Sequence, residues 1–203
     1  NQARCLVNLG NVYYSTGKFN EAERHLKDAL SIYKSIPGTE INQARCLVNL
    51  GNVYYSTGKF NEAERHYKDA LSIYKSIPGT EINQARCLVN LGVVYRSTGK
   101  FNEAERHYKD GLSIYKSIPG TEINQADCLV NLGVVYRSTG KFNEAERHLK
   151  DALSIYKTIP GTEINQADCL VNLGNVYYST GKFNEAERHY KDALSIYKSI
   201  PGT

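Results

Sequence analysis

Apolar residues follow a helical period in two consecutive stretches of the chain. From Glu40 to about Tyr55, one helical face carries the apolar side chains, namely Cys46, Leu47, Leu50, Val53 and Tyr54. From about Asn61 to Ile77, a second inward face is formed by Phe60, Ala63, Tyr67, Ala70, Leu71, Tyr74 and Ile77. The opposite side is polar, with Arg65, Lys68, Asp69 and Ser72. The pattern therefore predicts two amphipathic helices in succession.

Turn residues separate these helices. Pro37 and Gly38 are expected to end the preceding helix, and Thr39 is expected to cap the next one. Gly58 suits the left-handed conformation that follows a helix C-terminus. Gly51 lies within the first helix, where glycine costs about 1 kcal/mol of helix stability. We expect the second helix to approach it closely.

The two-helix pattern occurs in five nearly identical copies with a period of 41 residues, at residues 1–41, 42–82, 83–123, 124–164 and 165–203. A period of this size is typical of stacked repeats that share a continuous core. The sequence therefore predicts an all-α solenoid of five helix-turn-helix repeats, folded as a single array of 203 residues.

Composition narrows the function classes. No apolar run is long enough to cross a bilayer, and no signal peptide is recognisable. The net charge of +4 is too small to indicate nucleic-acid binding by itself. Because the first residue is Asn rather than Met, we interpret the chain as an excised or engineered segment.

Each copy carries one cysteine, at Cys5, Cys46, Cys87, Cys128 and Cys169. Packed helices lie about 10 Å apart, which is beyond the reach of a disulfide. We therefore expect reduced thiols, mostly buried, in an intracellular, cytoplasmic protein. Cys5 is expected to react fastest, because no copy precedes it.

Nothing in the sequence indicates catalysis or a cofactor. The histidines recur once per copy beside the apolar face of the second helix, at His25, His66, His107, His148 and His189. We expect them to be packed and hydrogen-bonded, because zinc-ligand spacing is absent. Phosphate-binding loops and nucleophile elbows are also absent, and five copies of the same residues do not make one asymmetric catalytic site. The prediction is a non-enzyme without metal or cofactor.

Three short motifs recur in order in each copy: Asn-Leu-Gly in the first helix, Gly-Lys-Phe-Asn-Glu-Ala at the turn, and Ala-Leu (Gly-Leu in the third copy) in the second helix. They resemble the tetratricopeptide repeat over the whole chain. Two departures stand out. The copies are about seven residues longer than the common form, like those of kinesin light chains, and leucine replaces the usual first-helix Trp, at Leu6, Leu47, Leu88, Leu129 and Leu170. The resemblance implies a right-handed superhelix whose first helices line a concave groove.

Six positions of the repeat vary, and three of them fall on one stripe of the first helix, which a helical wheel places off the buried face. The stripe reads, in copy order, Arg4, Arg45, Arg86, Asp127, Asp168; then Asn11, Asn52, Val93, Val134, Asn175; then Tyr14, Tyr55, Arg96, Arg137, Tyr178. The other changes are conservative, such as Leu or Tyr at Leu26, Ala to Gly at Gly111 and Ser to Thr at Thr158. Strong chemical change is thus concentrated on one surface.

The resemblance implies that this surface binds an extended peptide or partner segment. By that resemblance, the amides that would bond a peptide backbone are Asn8, Asn49, Asn90, Asn131 and Asn172. Arginines in the stripe would bind carboxylates, so the predicted ligand is acidic, whereas Asp127 and Asp168 reverse the charge. Neutral drift of an exposed surface is the alternative explanation of the stripe.

Two other functions stay open. The chain could be a structural array that associates head to tail, because no polar cap covers the apolar ends of the first and last copies. Residues expected at those ends are Cys5, Leu6, Leu9, Tyr190, Leu194, Tyr197 and Ile200. Binding of single-stranded nucleic acid is a weaker alternative, given the balanced charge. No membrane partner is predicted.

Overall fold

The computed structural model describes residues 1–200 and contains only α-helices as regular elements in that range. They are α1 (Gln2–Ser15), α2 (Phe19–Lys34), α3 (Glu40–Ser56), α4 (Phe60–Lys75), α5 (Glu81–Ser97), α6 (Phe101–Lys116), α7 (Glu122–Ser138), α8 (Phe142–Lys157), α9 (Glu163–Ser179) and α10 (Phe183–Ser199). The all-α repeat fold is therefore confirmed. Two compact units divide the chain, the first comprising residues 1–100 and the second beginning at residue 101.

Each hairpin within a unit is packed around a glycine. A Cβ atom added to Gly51 in α3 would lie 2.5 Å from Cε1 of Tyr67 in α4. The same position in α7, Gly133, would meet Leu149 of α8 at 2.6 Å. Ala63, which lies one turn before Tyr67, is fully buried. The close approach predicted from Gly51 is confirmed.

The turn inside the hairpin differs from the prediction by one residue. Gly58 has φ of +74°, as expected. However, α4 begins at Phe60, just before the predicted Asn61, and ends at Lys75, before the predicted Ile77. The reason is that the carbonyl of Lys59 already accepts the amide of Ala63 at 3.0 Å.

Thr39 has a different role from the one predicted. Its hydroxyl donates to the carbonyl oxygens of Tyr33 and Ile36, at 2.6 and 2.8 Å. Those carbonyls lie at the end of α2 and just beyond it, where helical acceptors have lost their own partners. Its hydroxyl caps no backbone amide at the start of α3, although its oxygen accepts Nε2 of Gln43 in that helix at 3.3 Å. The bonds that Thr39 donates therefore stabilise the end of the preceding helix.

A polar link joins consecutive copies within each unit. The hydroxyl of Tyr54 in α3 donates to Oε1 of Glu23 in α2 at 2.9 Å. Glu23 also accepts Nζ of Lys27 at 2.6 Å. The same Tyr-to-Glu bond recurs from Tyr95 to Glu64, Tyr136 to Glu105 and Tyr177 to Glu146. The four-residue spacing on one helix accounts for the Glu-Lys pair, whereas the tyrosine comes from the following copy.

Candidate functional site

A pit of about 550 Å³ lies on the first-helix surface of the first unit. It is lined by Asn11, Arg45, Val48, Asn49, Asn52, Asn83, Arg86 and Asn90. We call it the first-helix pit. The sequence predicts six of these residues and misses Val48 and Asn83. Asn83 is the same in every copy, so variation between copies did not indicate that it belongs to the site. Polar groups from α1, α3 and α5 thus meet at one place.

Two arginines bring positive charge to the pit. Arg45 and Arg86 occupy the same position in consecutive copies, and both are exposed. Nη2 of Arg86 donates to Oδ1 of Asn83 at 3.0 Å, which orients that guanidinium. Burial raises the pKa of Tyr74, and the charges of Arg86 and Arg45 oppose that shift. Both guanidinium charges therefore act on the same tyrosine side chain.

The asparagines of the pit are partly engaged with the protein. Nδ2 of Asn49 donates to Oδ1 of Asn11 at 2.9 Å, so the two amides join α3 to α1. Oδ1 of Asn52, which also lines the pit, accepts the hydroxyl of Tyr67 at 2.7 Å, so this bond uses an acceptor of the amide and not its donors. Asn90 is half-buried in the same lining. Donors and acceptors for a peptide unit are thus available at Asn49, Asn52 and Asn90.

The third varying position connects first helices of neighbouring copies. The Tyr14 hydroxyl hydrogen-bonds to Oγ of Ser56 at 3.0 Å, and Tyr55 does the same with Ser97 at 2.9 Å. Tyr178, at the same position in the last copy, is exposed. Arg96 and Arg137 hold this position in copies three and four and are half-buried. Part of the variable stripe therefore has a structural role.

In the second unit the stripe is not a plain solvent-facing surface. Asp127 is half-buried, and its Oδ1 accepts the hydroxyl of Tyr156 at 2.5 Å. Burial raises the pKa of Asp127, although the Tyr156 bond opposes the shift. Asp168 accepts the Tyr197 hydroxyl in the same way. The expectation that this position lies off the packed surface is wrong for Asp127, because it contacts the second helix of its own hairpin.

The aspartates also coincide with a different orientation of the neighbouring amides. Nδ2 of Asn131 donates to the carbonyl of Asp127 at 3.0 Å, and Asn172 does the same to Asp168 at 2.9 Å. In the first unit, Asn49 instead reaches across to Asn11. The amides of Asn131 and Asn172 in the second unit are therefore not arranged like that of Asn49 in the pit. Asn175 accepts Tyr190, as Asn52 accepts Tyr67.

The histidines are packed and hydrogen-bonded, as predicted. Nδ1 of His66 donates to the carbonyl of Glu62 at 2.7 Å, and its ring lies 4.9 Å from that of Tyr54. Burial lowers the pKa of His66. In residues 1–200, no group of three or more His, Cys, Asp or Glu side chains could hold a metal ion. None of the helices in that range could span a membrane.

The tetratricopeptide repeat model matches residues 1–76, 42–117, 83–158 and 122–199. Together these matches cover nearly the whole chain, so the protein belongs to the tetratricopeptide repeat family. This is the class that its helix hairpins and first-helix surface define. No curated protein sequence matches the chain.

Several solved structures are similar. BtubC from P. vanneervenii has a TM-score of 0.85 at 25% identity, over 98% of this chain and 80% of its own. The nearly identical repeats of a Podospora anserina putative kinesin light chain give 0.79 at 18%, over 98% and 97%. A Rap protein complexed with competence and sporulation factor gives 0.80 at 19%, over 96% and 53%. The family and this fold support a protein-interaction scaffold.

Proposed function

We propose that the protein is a non-enzymatic scaffold that binds an extended acidic peptide in the first-helix pit. The observation that carries this proposal is the convergence of Arg45 and Arg86, both exposed, with five asparagine side chains on one polar pit. A guanidinium group matches a carboxylate with two parallel donors. A side chain of Glu or Asp is therefore the group that this surface recognises.

The asparagine amides of the pit would hydrogen-bond to the backbone of the same ligand. A peptide unit offers one donor and one acceptor, and an asparagine side chain complements both. Asn90 is the best placed, because Asn49 and Asn52 already use one group each on Asn11 and Tyr67. Asn83 holds the guanidinium of Arg86, so it acts as a positioning residue. The pit thus combines a charge-selective part with a backbone-selective part.

The structural neighbours support a peptide ligand. One similar Rap protein is described in complex with the Phr* peptide, and another in complex with competence and sporulation factor. This chain covers about half the length of each, so the likeness concerns the fold. The four buried cysteine thiols are unpaired, which fits a reducing intracellular compartment.

Binding of two matched peptides tests the proposal. One labelled peptide carries Glu at alternate positions, and the other carries Gln at the same positions. We expect the protein to prefer the Glu peptide, and Arg45→Ala/Arg86→Ala to weaken it at least about tenfold. Arg24→Ala/Arg65→Ala removes the same charge from exposed positions of α2 and α4 and serves as control. Equal losses in both double variants would show that only net charge matters.

A further inference from the structure

The first-helix pit carries charge of one sign. Its charged lining residues are Arg45 and Arg86, and the other lining residues are asparagines and one valine. A second polar pit, of about 410 Å³ on α4, is lined by Asn61 together with two acidic and two basic side chains, so its charges balance. Like charges brought to one place repel one another unless a counter-ion lies between them. An anion is therefore the group that would stabilise the first-helix pit.

The hydrogen bonds of the pit engage asparagine oxygens more often than asparagine N–H groups. The Oδ1 atoms of Asn11, Asn52 and Asn83 each accept a hydrogen bond from another side chain. Of the five asparagines in the lining, Asn49 is the one whose amide N–H donates in these bonds. An asparagine side chain offers two donors, and an arginine offers five. What the pit has left for a ligand is therefore mostly hydrogen-bond donors.

The first helices of the second unit differ from the pit in both respects. Asp127 and Asp168 occupy the position that arginine holds in the first three copies. The amides of Asn131 and Asn172 donate to backbone carbonyls, so one N–H of each is used within the protein. Arginine charge is therefore absent from this position in the second unit, and its amides bond to the backbone of their own helices. This surface is the internal comparison for the pit.

We infer that the first-helix pit recognises a phosphorylated side chain of a peptide, with Arg45 and Arg86 on the phosphate group. The inference rests on the proposed function and names the anion of its ligand. A phosphate monoester carries a charge of about −1.5 to −2 at neutral pH and three strong acceptor oxygens. A carboxylate carries a single charge and two oxygens. Two guanidinium forks with amide N–H groups beside them match the larger set of acceptors, so a phosphate satisfies more of the pit than Glu or Asp.

The phosphodiester of a nucleic acid is a poorer match for the pit. Each phosphodiester carries one negative charge, which is less than a phosphate monoester offers to the two arginines. Proteins that bind single strands also provide aromatic side chains on which the bases stack. The lining of the pit contains arginine, asparagine and valine side chains and no aromatic one. These observations favour a phosphorylated peptide over a nucleic acid.

Four labelled peptides of otherwise identical neutral sequence test the inference by fluorescence anisotropy. They carry phosphoserine, Glu-Glu, a single Glu or a single Gln at the centre, and the Glu-Glu peptide matches the charge of phosphoserine. We expect wild type to bind the phosphoserine peptide at least about tenfold more tightly than the Glu-Glu peptide. Equal affinities for these two would overturn the inference, because charge alone would then be recognised. The Glu peptide against the Gln peptide judges the proposed function separately.

A matched pair of variants locates the phosphate. Asn83→Asp places a carboxylate against the guanidinium of Arg86, which Oδ1 of Asn83 already accepts, and so neutralises one of the two cations. It should weaken the phosphoserine peptide about tenfold or more. Asn124→Asp makes the same change at the same position of the second unit and should have little effect. Equal losses in the two variants would overturn the placement of the phosphate in the pit.

A single-stranded oligonucleotide distinguishes the two sources of phosphate. It is added as an unlabelled competitor to wild type that holds the phosphoserine peptide, at the same total concentration of phosphate groups as a parallel sample with unlabelled phosphoserine peptide. We expect the unlabelled peptide to displace the labelled one and the oligonucleotide to leave most of it bound. Displacement by the oligonucleotide to the same extent would overturn the assignment to a phosphorylated peptide.

Discussion

The ring of Tyr67 lies against the backbone at Gly51, so that any Cβ at that position would come within 2.5 Å of ring carbon Cε1. The tyrosine hydroxyl then extends to Oδ1 of Asn52 at 2.7 Å. One side chain of the second helix thus fills the gap left by a glycine and engages a residue of the pit. The packing of the hairpin and the lining of the site are coupled at this point.

Replacement of this glycine should weaken the array. Gly51→Ala is expected to lower the free energy of unfolding by about 1–3 kcal/mol, because the methyl group overpacks the helix contact. Adding Tyr67→Leu should not restore stability, since a Cβ at Gly10 would meet Leu26 at 2.7 Å in the same way. Urea unfolding checks both variants. Unchanged stability of Gly51→Ala would contradict the account.

The hydroxyl of Tyr67 provides a second prediction. Asn52→Val should cost about 1–3 kcal/mol of the free energy of unfolding, because a buried hydroxyl loses its acceptor. Asn11→Val is the control: it removes an exposed bond from Asn49 but no tyrosine bond, because Leu26 occupies the place of Tyr67 in the first copy. Tyr67→Phe should recover most of the loss in the Asn52→Val background. Equal effects at Asn11 and Asn52 in thermal unfolding would argue against this pairing.

These contacts show which features of the structure the sequence predicts and which it does not. Helical periodicity and Gly51 predict the hairpin and its close approach, because both are local constraints on backbone and volume. Thr39 precedes α3, and the sequence therefore predicts that it caps that helix. The carbonyl groups at the end of α2 accept the same hydroxyl instead. Asp127 reads as exposed on a helical wheel, which does not show that Tyr156 reaches it from the second helix. Side chains that bridge two helices leave no periodic signal.

The Tyr-Glu-Lys links should make stability depend on acid pH. Although burial raises the pKa of Glu23, hydrogen bonds from Lys27 and Tyr54 outweigh it and hold that pKa below its usual 4.5. A lowered pKa contributes stability that is present above the unfolded value and is lost as the pH falls through the folded value. The pKa values of Glu64, Glu105 and Glu146 are lowered too.

The thermal midpoint of wild type should therefore fall as the pH drops below about 4.5. The variant Glu23→Gln/Glu64→Gln/Glu105→Gln/Glu146→Gln should start lower at neutral pH and show a flatter decline. The control replaces four exposed glutamates that accept no tyrosine, Glu40, Glu81, Glu122 and Glu163, with Gln. The same decline in the first variant as in wild type would rule out these links as its source.

Thiol reactivity should differ sharply along the chain. Burial raises the pKa of Cys46 to about 11 and of Cys87, Cys128 and Cys169 to about 12, so little thiolate forms near neutral pH. In dilute native protein, Cys5 is expected to react quickly and the other four slowly. Mass spectrometry after timed maleimide labelling measures this. Fast labelling of all five in folded protein would be incompatible with the packing described.

The central claim is that the charge of Arg45 and Arg86 selects the ligand of the first-helix pit. The most direct measurement is a charge-reversal titration, in which Arg45→Glu/Arg86→Glu is offered the Glu peptide and its Lys-matched counterpart. Reversal of both guanidinium positions should reverse the preference, so that the Lys peptide binds more tightly to the variant and the Glu peptide to wild type. A variant that still prefers the Glu peptide would contradict the claim.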